Sequence, residues 1–233
     1  MAERHLVWDG CFNVRDLGGH ETVDGRTTRF GAVVRSDAPD RLSEAGWQAL
    51  QSHGVRTIVD LRDPSELGGE APAAEIASVH VPVLDFEDRA FWDEMRGIWD
   101  TVLFYRGVLA RWPERFTRAV VEVARAEPGA VLVHCQVGRD RTGLVSAMLL
   151  SLAGVPVESI AADYALSADR LRPLYEKLLR DEPDESVRTR LQRENVSTAE
   201  AMLEVLRGLD VEDYLLRGGA TDEDLAAARA RLL

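Results

Sequence analysis

The amino-acid sequence predicts an α/β protein in which a central, mostly parallel sheet is flanked by helices and followed by a helical C-terminal extension. Strand-like and helical patterns alternate over residues 55–153, which is typical of a parallel or mixed sheet covered by helices. The run Ala130–His134 is apolar almost throughout, as in a strand buried on both faces of such a sheet. From Val157 onward the pattern is helical.

Turn and capping residues predict the first elements. In Thr22–Ser36, the pair Asp24-Gly25 favours a tight turn between β-branched residues, which indicates a β-hairpin. Ser43 is a suitable N-cap for a helix over Glu44–His53, and Gly54 is a suitable stop for that helix.

Strands and helices alternate in the middle of the chain. Val55–Leu61 predicts a strand, and Val81 with Val83 predicts a second short strand. Pro113–Ala126 predicts a helix, because proline suits the first turn and apolar residues recur on one face. Arg141–Ala153 predicts an apolar helix shortly after the buried strand.

The C-terminal third of the chain contains three candidate helix caps, Ser167, Ser197 and Thr221. No linker rich in glycine, proline or serine divides the sequence. We therefore predict one domain over residues 1–233, with a core over about 10–165 and a helical extension over about 166–233.

The composition excludes several classes of protein. The chain has 45% hydrophobic and 29% charged residues, which suits a folded core, and a net charge of −12, which argues against nucleic acid or an anionic membrane as main partner. The longest mostly apolar stretch, Val145–Val155, is shorter than the ~20 residues that span a bilayer. The first residues lack the apolar run of a signal peptide, and Cys11 and Cys135 cannot form a disulfide framework. We therefore expect a cytoplasmic protein with free thiols and no membrane span.

One segment, His134–Gly143, combines residue types that together suit phosphoryl transfer. Cys135 is predicted at the N-terminal end of a helix, where the helix dipole and loop N–H groups lower the pKa of a thiol from ~8.5 to ~3.5–7.5 and make it nucleophilic. Gly138 permits a turn that gathers peptide N–H groups into an anion-binding nest. Arg141 can hold two oxygens of the bound group with its planar fork. The segment therefore predicts in-line attack of sulfur on a phosphoryl group.

The other residues of this segment are predicted to bind the phosphate or to support the loop. His134 can orient the loop through a ring N–H, Thr142 can hydrogen-bond the thiolate, and Asp60 is expected beside the loop as a hydrogen-bond partner. We expect no cofactor and no metal, because thiolate chemistry needs neither. The predicted phosphate-binding residues are Gln136, Val137, Gly138, Arg139, Asp140 and Arg141.

The spacing His134-Cys135, five further residues and Arg141-Thr142-Gly143 resembles the signature of the cysteine-dependent protein tyrosine phosphatases. It is most similar to the atypical bacterial branch that carries His-Cys-x-x-Gly-Lys-Asp-Arg-Thr-Gly, although Arg139 stands where that branch usually has lysine. The resemblance implies the cysteine-dependent phosphatase fold and activity on phosphotyrosine, with phosphoserine, phosphothreonine or phosphoinositides as further substrates of some members. Other segments that resemble motifs of this branch are Asn13–Gly19, Val34–Ser36, Asp60–Arg62 and Asp163–Ser167.

A general acid is expected beside the nucleophile, because loss of the leaving group is faster when a carboxylic acid protonates it. The resemblance implies that Asp140 is this acid, and later the base. The alternative is an aspartate on a mobile loop further upstream in the chain. The candidates for that role are Asp85, Asp88, Asp93 and Asp100.

Other functions remain alternatives to a protein phosphatase with Cys135, Arg141 and Asp140 as catalytic residues. A phosphatase of phosphoinositides or small metabolites would use the same loop chemistry. A rhodanese-type sulfurtransferase usually has one residue fewer before the arginine, and a pseudophosphatase would be expected to lose Cys135 or Arg141. The expected partner is thus a phosphorylated protein, a phospholipid or a small phosphomonoester, and the oligomeric state is left open.

Four weaker features give further predictions, two of them with two interpretations each. Arg15 and Asp16 either support the phosphate loop or pair with each other, and Cys11 could form a protective disulfide with Cys135. The helices after Ala165 are predicted to cover the active site. An aromatic cluster either lines a substrate cleft or packs in the core; it comprises Phe86, Phe91, Trp92, Trp99, Phe104 and Tyr105.

Overall fold

The computed structural model describes residues 4–68, 75–98, 101–181 and 198–233. The strands in these ranges are β1 (Arg15–Asp16), β2 (Val33–Ser36), β3 (Val55–Asp60), β4 (Ala77–His80) and β5 (Ala130–His134). They form one sheet in the order β1-β2-β5-β3-β4. All neighbours are parallel except β1, which pairs antiparallel with β2 at one edge. The predicted α/β class with a mostly parallel sheet is therefore confirmed.

Helices connect the strands and form the C-terminal third of the described chain. Single 3₁₀ turns lie at Pro39–Arg41 and Pro64–Glu66. None of the helices in the described ranges has the length and apolar character needed to cross a membrane. The α-helices are α1 (Glu44–Ser52), α2 (Arg89–Glu94), α3 (Val102–Arg111), α4 (Pro113–Arg125), α5 (Asp140–Leu152), α6 (Val157–Asp181), α7 (Thr198–Arg207), α8 (Val211–Arg217) and α9 (Asp222–Leu232).

The core lies on both faces of the sheet, as the alternation along β5 shows. Val131 and Val133 join a large apolar cluster with α3, α4 and α5, whereas Leu132 joins a smaller one with Leu50 of α1. Each fully buried aliphatic side chain contributes ~1.5–3 kcal/mol to folding, so the central strand is firmly held. Buried residues of α7, α8 and α9 belong to the same large cluster as α5. The helical extension therefore shares the core of the sheet.

The predicted helix caps have three different outcomes. Ser43 caps α1 and Thr221 caps α9, each accepting a first-turn backbone N–H at 3.2 Å, so both predictions are confirmed. Ser167 is not a cap but lies inside α6, where its buried hydroxyl accepts a hydrogen bond from Arg15 at 3.0 Å. A tertiary partner, rather than the helix terminus, explains that serine. Ser197 lies outside the described residues.

The predicted hairpin over Thr22–Ser36 is present only at its turn. Gly25 adopts a φ of 82° and Glu21 pairs with Thr27, as the Asp24-Gly25 signal predicts. The later residues pair further back than predicted, because β2 pairs antiparallel with β1, which precedes Thr22, and lies between β1 and β5 inside the sheet. All four residues of β2 are buried, and an interior position satisfies both of its hydrogen-bonding edges.

The predicted strand at Val81 and Val83 is displaced toward the N-terminus. β4 ends at His80, and both valines lie almost fully buried in the segment that follows. The Val81 N–H donates to the carbonyl of Asp60 at 2.8 Å, so the chain stays beside the end of β3. The alternating apolar pattern reflects a loop segment buried in the core, not the strand itself.

Candidate active site

The loop between β5 and α5 lies at the carboxyl edge of the parallel sheet. Cys135 directly follows β5, and α5 begins at Asp140. The last residues of the neighbouring strands, Ser36 and Asp60, are in register with His134. Ligands of open α/β sheets bind outside the carboxyl ends of the strands, which is where the sequence segment 134–143 lies.

The carbonyl groups of this loop are held by residues outside it. The side-chain amide of Asn13 donates to the carbonyl oxygens of Val137 and Gly138, at 3.2 Å and 3.0 Å. Arg35 also donates to the carbonyl of Gly138, at 2.9 Å. Within the described chain the N–H groups of residues 136–138 donate to no protein acceptor. Peptide groups with their oxygens held in this way leave their N–H groups for an anion.

Gly138 is required by close packing as well as by its backbone conformation. Its φ is 68°, in the left-handed region that favours glycine. A Cβ at this position would lie 2.3 Å from the carbonyl oxygen of Ser36 at the end of β2. The loop therefore turns directly against the neighbouring strand, and only glycine permits that approach.

Cys135 lies beneath this loop with 2% of its surface exposed. The ring Nδ1 of His134 is 3.2 Å from the carbonyl oxygen of Cys135, which fits the predicted orienting role. The Thr142 hydroxyl is buried in the first turn of α5 and has no hydrogen-bond partner among the described residues. The predicted hydrogen bond from Thr142 to the sulfur is therefore not formed here, although the hydroxyl remains available for one.

Asp60 supports the loop from the end of β3. Its carboxylate accepts hydrogen bonds from Arg62, the shortest at 2.7 Å, and lies 3.7 Å from Nε2 of His134. Burial opposes ionisation of Asp60, but the hydrogen bonds from Arg62 outweigh it and lower the pKa of the carboxyl. Burial also lowers the pKa of His134, more than the nearby Asp60 raises it, so this histidine is neutral.

Arg141 forms a two-pronged ion pair with Glu66, a residue that the sequence analysis did not identify. Nη2 donates to Oε1 at 2.7 Å, and Nη1 contacts Oε2. The guanidinium carbon lies 5.7 Å from the centre of the Phe86 ring, and 12% of the arginine side chain is exposed. Burial alone would lower the pKa of Arg141, but the negative charges of Cys135 and Glu66 raise it overall.

A sequence signal for Glu66 existed, although it pointed to local structure. Asp63-Pro64-Ser65-Glu66 forms a capping box, in which the Asp63 N–H donates to Oε2 of Glu66 at 2.9 Å. The box fixes the glutamate on the turn after β3. The same carboxylate then holds the Arg141 fork.

Asp140, the first residue of α5, is held by two tyrosines that the sequence analysis did not assign to the site. The hydroxyls of Tyr105 and Tyr164 donate to its Oδ1 at 2.7 Å and 2.8 Å. Burial opposes ionisation of Asp140, but the charge of Arg139 and the two hydroxyl donors outweigh it and lower the pKa of this carboxyl.

The rival aspartates have structural partners where the structure describes them. Asp88 caps α2 and accepts a hydrogen bond from Arg111 at 2.7 Å, and Asp85 pairs with Arg115 at 2.9 Å. The exposed Asp93 pairs with an arginine one helical turn away. Asp100 lies outside the described residues.

A buried ion-pair cluster lies behind the loop. Arg15 and Arg35 both contact the carboxylate of Asp163, at 3.3 Å and 3.2 Å. Arg15 also contacts Asn13, the residue whose amide holds the loop carbonyls. Burial opposes ionisation of Asp163, but the two arginines lower its pKa to about 2. Of the two interpretations of Arg15, support of the loop is the one that fits the contacts.

The alternative pairing of Arg15 with Asp16 is wrong. Asp16 binds Nε2 of His53 at 2.8 Å and accepts the N–H of Gly31 at 2.8 Å. These contacts hold β1 against α1 and β2 instead. Arg15 and Asp16 are neighbours in β1, and successive side chains of a strand point to opposite faces of the sheet. The two buried side chains therefore point away from each other.

The aromatic cluster is divided between the two predicted uses. Phe91 packs in the core against Trp92 and Trp112, with ring centres 5.1 Å and 4.5 Å apart. Phe104 and Tyr105 are buried as well, whereas Phe86 is 41% exposed above Arg141. Most of the cluster is therefore core, and two members reach the candidate site, Phe86 beside Arg141 and the buried Tyr105 through its hydroxyl on Asp140. Trp99 lies outside the described residues.

Both cysteines are free thiols. The sulfur of Cys11 contacts the carbonyl oxygen of Ala38 at 3.6 Å. Burial, assisted by the negative charge of Asp37, raises the pKa of Cys11. A raised pKa disfavours the thiolate that disulfide formation with Cys135 requires.

Comparisons with known proteins place the chain in a family. The sequence model of the tyrosine phosphatase family matches residues 6–233. The chain is 33% identical over 176 residues to a protein of Cupriavidus necator assigned as a tyrosine-protein phosphatase. The aligned residues make up 72% of this chain and 64% of the relative. It is 30% identical over 155 residues to a tyrosine-protein phosphatase of Nostoc commune, covering 60% and 49%.

A third relative is the triple specificity protein phosphatase PtpB of Mycobacterium tuberculosis, 29% identical over 207 residues that cover 75% of this chain and 72% of the relative. The matches thus span less than two thirds of the length of the first two relatives. The family match extends over almost the whole sequence and includes the loop with Cys135 and Arg141. The chain therefore belongs to the tyrosine phosphatase family.

Proposed function

We propose that this protein hydrolyses phosphomonoesters through a phosphocysteine intermediate on Cys135, with protein phosphotyrosine as the preferred substrate. The observation that carries the proposal is the loop after β5. It combines a buried cysteine, N–H groups that have no protein acceptor among the described residues, and a cationic fork in the first turn of α5. Together these groups bind a phosphoryl dianion and bring a nucleophile to its phosphorus.

The reaction proceeds in two displacements. The thiolate of Cys135 attacks phosphorus, the bond to the ester oxygen breaks, and Asp140 gives that oxygen a proton. Water then attacks the phosphocysteine and gives a proton to Asp140. The phosphorus–sulfur bond breaks, which releases inorganic phosphate and restores the thiolate.

The backbone N–H groups of Gln136, Val137, Gly138, Arg139 and Asp140 hold the phosphoryl oxygens in this proposal. Arg141 completes the set, because a guanidinium has five N–H donors and the pair with Glu66 leaves donors for the substrate. His134, Thr142 and Asp60 support the loop. Thr142 supplies its unpartnered hydroxyl to the sulfur when the thiolate is the leaving group.

Phe86 supports the preference for an aryl phosphate. Its half-exposed ring stands over the Arg141 guanidinium and offers an apolar face beside the phosphate position. The similarity to a relative named as a triple specificity phosphatase supports phosphoserine and phosphothreonine as further substrates. Phosphoinositides and small phosphomonoesters are the alternative, because they would meet the same loop.

We also propose that residues 1–233 form one phosphatase domain in which α6 covers part of the site. Leu171, Leu174 and Tyr175 of α6 form a buried cluster against which Val137 of the loop packs. Helices α7, α8 and α9 share the main core with α5. The extension is thereby tied to the loop itself.

The test compares the purified protein with Cys135→Ser on phosphotyrosine, phosphoserine and phosphothreonine peptides and a phosphoinositide panel. We expect turnover that is highest on phosphotyrosine, is unaffected by EDTA and is abolished in the variant, while vanadate still binds the variant. Residual turnover by Cys135→Ser, or loss of activity with EDTA, would contradict the cysteine mechanism. Highest turnover on a phosphoinositide would overturn the proposed substrate.

A further inference from the structure

Three oxygen atoms meet at the start of α5. The hydroxyls of Tyr105 and Tyr164 lie 2.7 Å and 2.8 Å from Oδ1 of Asp140, and 2.6 Å from each other. Both tyrosines are almost fully buried, whereas the Asp140 side chain keeps 32% of its surface exposed. Because both hydroxyls contact Oδ1, the second carboxyl oxygen is left for a leaving group or a water molecule.

The two hydrogen bonds between the tyrosines and Asp140 can be satisfied in both protonation states of Asp140. When the carboxyl is ionised, both hydroxyls donate to it, and no proton remains for the contact between the two tyrosines. When the carboxyl is protonated on Oδ1, three protons serve three contacts and the hydrogen bonds close into a ring. A proton on the other oxygen leaves both tyrosine donors in place. The carboxyl can therefore gain or lose a proton without losing its partners.

Packing fixes the positions of the two hydroxyls. A Cβ at Gly143 would lie 2.5 Å from the Tyr164 ring, so this glycine lets the ring approach α5. The rings of Tyr105 and Tyr164 pack edge to face, with centres 6.2 Å apart. Tyr105 lies on α3 and Tyr164 on α6, so the Asp140 carboxyl is hydrogen-bonded by two helices other than its own.

Among the described residues, the positive charges that act on Asp140 come from its own loop. Arg139 places Nε 3.9 Å from Oδ1, and Arg141 adds a second positive charge that Glu66 partly offsets. The groups that face Asp140 from α3 and α6 are the two tyrosines. In the free protein the carboxyl is ionised, and a bound phosphoryl dianion disfavours that charge and so favours uptake of a proton.

We propose that Tyr105 and Tyr164 are positioning residues that hold the Asp140 carboxyl in one orientation as it changes from acid to base. The inference rests on the proposed function, because it assigns the tyrosines to the proton transfers of that reaction. Neither hydroxyl touches the reacting atoms. Each acts through Asp140, by fixing its direction and stabilising its ionised form.

The experiment measures kcat against pH for Tyr105→Phe and Tyr164→Phe with phenyl phosphate and with p-nitrophenyl phosphate. Each variant loses one hydrogen bond to a charged group, so we expect an approximately tenfold lower kcat on phenyl phosphate, with little change in KM. Loss of a donor that stabilises the carboxylate raises the pKa of Asp140. The alkaline limb of kcat should therefore move upward by about one pH unit. The loss should be smaller on p-nitrophenyl phosphate, whose leaving group needs a proton less.

Tyr214→Phe is the matched control, because Tyr214 is also buried and its hydroxyl donates to the carbonyl of Leu109 at 3.0 Å. We expect its kcat and pH profile to match those of the unchanged protein. In an Asp140→Asn background, Tyr105→Phe should have no further effect on kcat. Thermal unfolding shows whether each variant is folded, and either tyrosine variant alone suffices for the test.

The possible failures are distinguishable. A loss of equal size on both substrates, an unmoved alkaline limb, or an undiminished loss in the Asp140→Asn background would overturn the inference and assign the tyrosines to structure alone. If the unchanged protein does not hydrolyse either aryl phosphate, the proposed function itself fails.

Discussion

Replacement of Glu66 by glutamine tests how the Arg141 fork is held. The change keeps the size of the side chain but removes one carboxylate oxygen and its charge from a pair in which Glu66 and Arg141 are only 17% and 12% exposed. One of the two charge-assisted hydrogen bonds is lost, and each is worth ~1.5–3 kcal/mol. If all of this free energy is lost from the orientation of Arg141 in the transition state, kcat/KM decreases by about 10- to 150-fold.

The assay is steady-state hydrolysis of p-nitrophenyl phosphate, with thermal unfolding measured in parallel. We expect both KM and kcat to worsen, because Arg141 binds the phosphoryl oxygens in the ground state and in the transition state. Glu122→Gln is the control, since Glu122 pairs with Arg118 at 3.4 Å on the exposed face of α4, and such surface pairs are worth ~0–1 kcal/mol. If Glu66→Gln retains the kcat/KM of the unchanged protein, the orientation of the Arg141 fork does not depend on Glu66.

Four further changes test other parts of the structure. Gly138→Ala should lower the free energy of unfolding by at least about 2 kcal/mol and abolish activity, because the alanine Cβ would meet the Ser36 carbonyl. Near-normal stability of this variant, measured by chemical denaturation, would contradict this. Asp140→Asn should lower kcat by ~10²–10⁴ with little change in KM, and a full loss on substrates with good leaving groups would assign it to loop structure. The Asp163 ion pairs should contribute ~2.5 kcal/mol to the free energy of unfolding above pH 3.8, and this contribution should be lost as the pH falls towards about 2. If the stability of the unchanged protein varies across this pH range just as that of Asp163→Asn does, the ion pairs make no such contribution. If α6 moves with each turnover, kcat should fall as solvent viscosity rises, and an unchanged kcat would contradict a moving cover.

The sequence predicted the local structure of the segment that carries the candidate site. The β5 strand, the turn at Gly138 and the start of α5 all depend on local signals, and the structure places Cys135 directly after β5 and Arg141 in the first turn of α5. Local signals sufficed because a buried apolar run, a glycine and a helical pattern each determine their own conformation.

The partners of this loop were not predictable in the same way. Glu66 and Tyr105 lie on separate elements far along the chain, and only the folded sheet and its helices bring them to Arg141 and Asp140. A capping box and an apolar aromatic cluster were their visible signals, and both have ordinary structural explanations. Ser167 was misread for the same reason, because its partner Arg15 is remote in sequence.

The loop is held by the N-terminal segment and, through it, by α6, which affects how activity should be measured. Asn13 near the N-terminus holds the loop carbonyls, and Arg15 links that residue to Asp163 on α6. A molecule in which the N-terminal segment or α6 is undocked would lose the contacts that hold the loop carbonyls, even if β5 and α5 had formed. Specific activity then reports the fraction of molecules in which the whole chain has folded. A partly folded population should appear as fewer active sites with an unchanged KM, rather than as uniformly weakened enzyme.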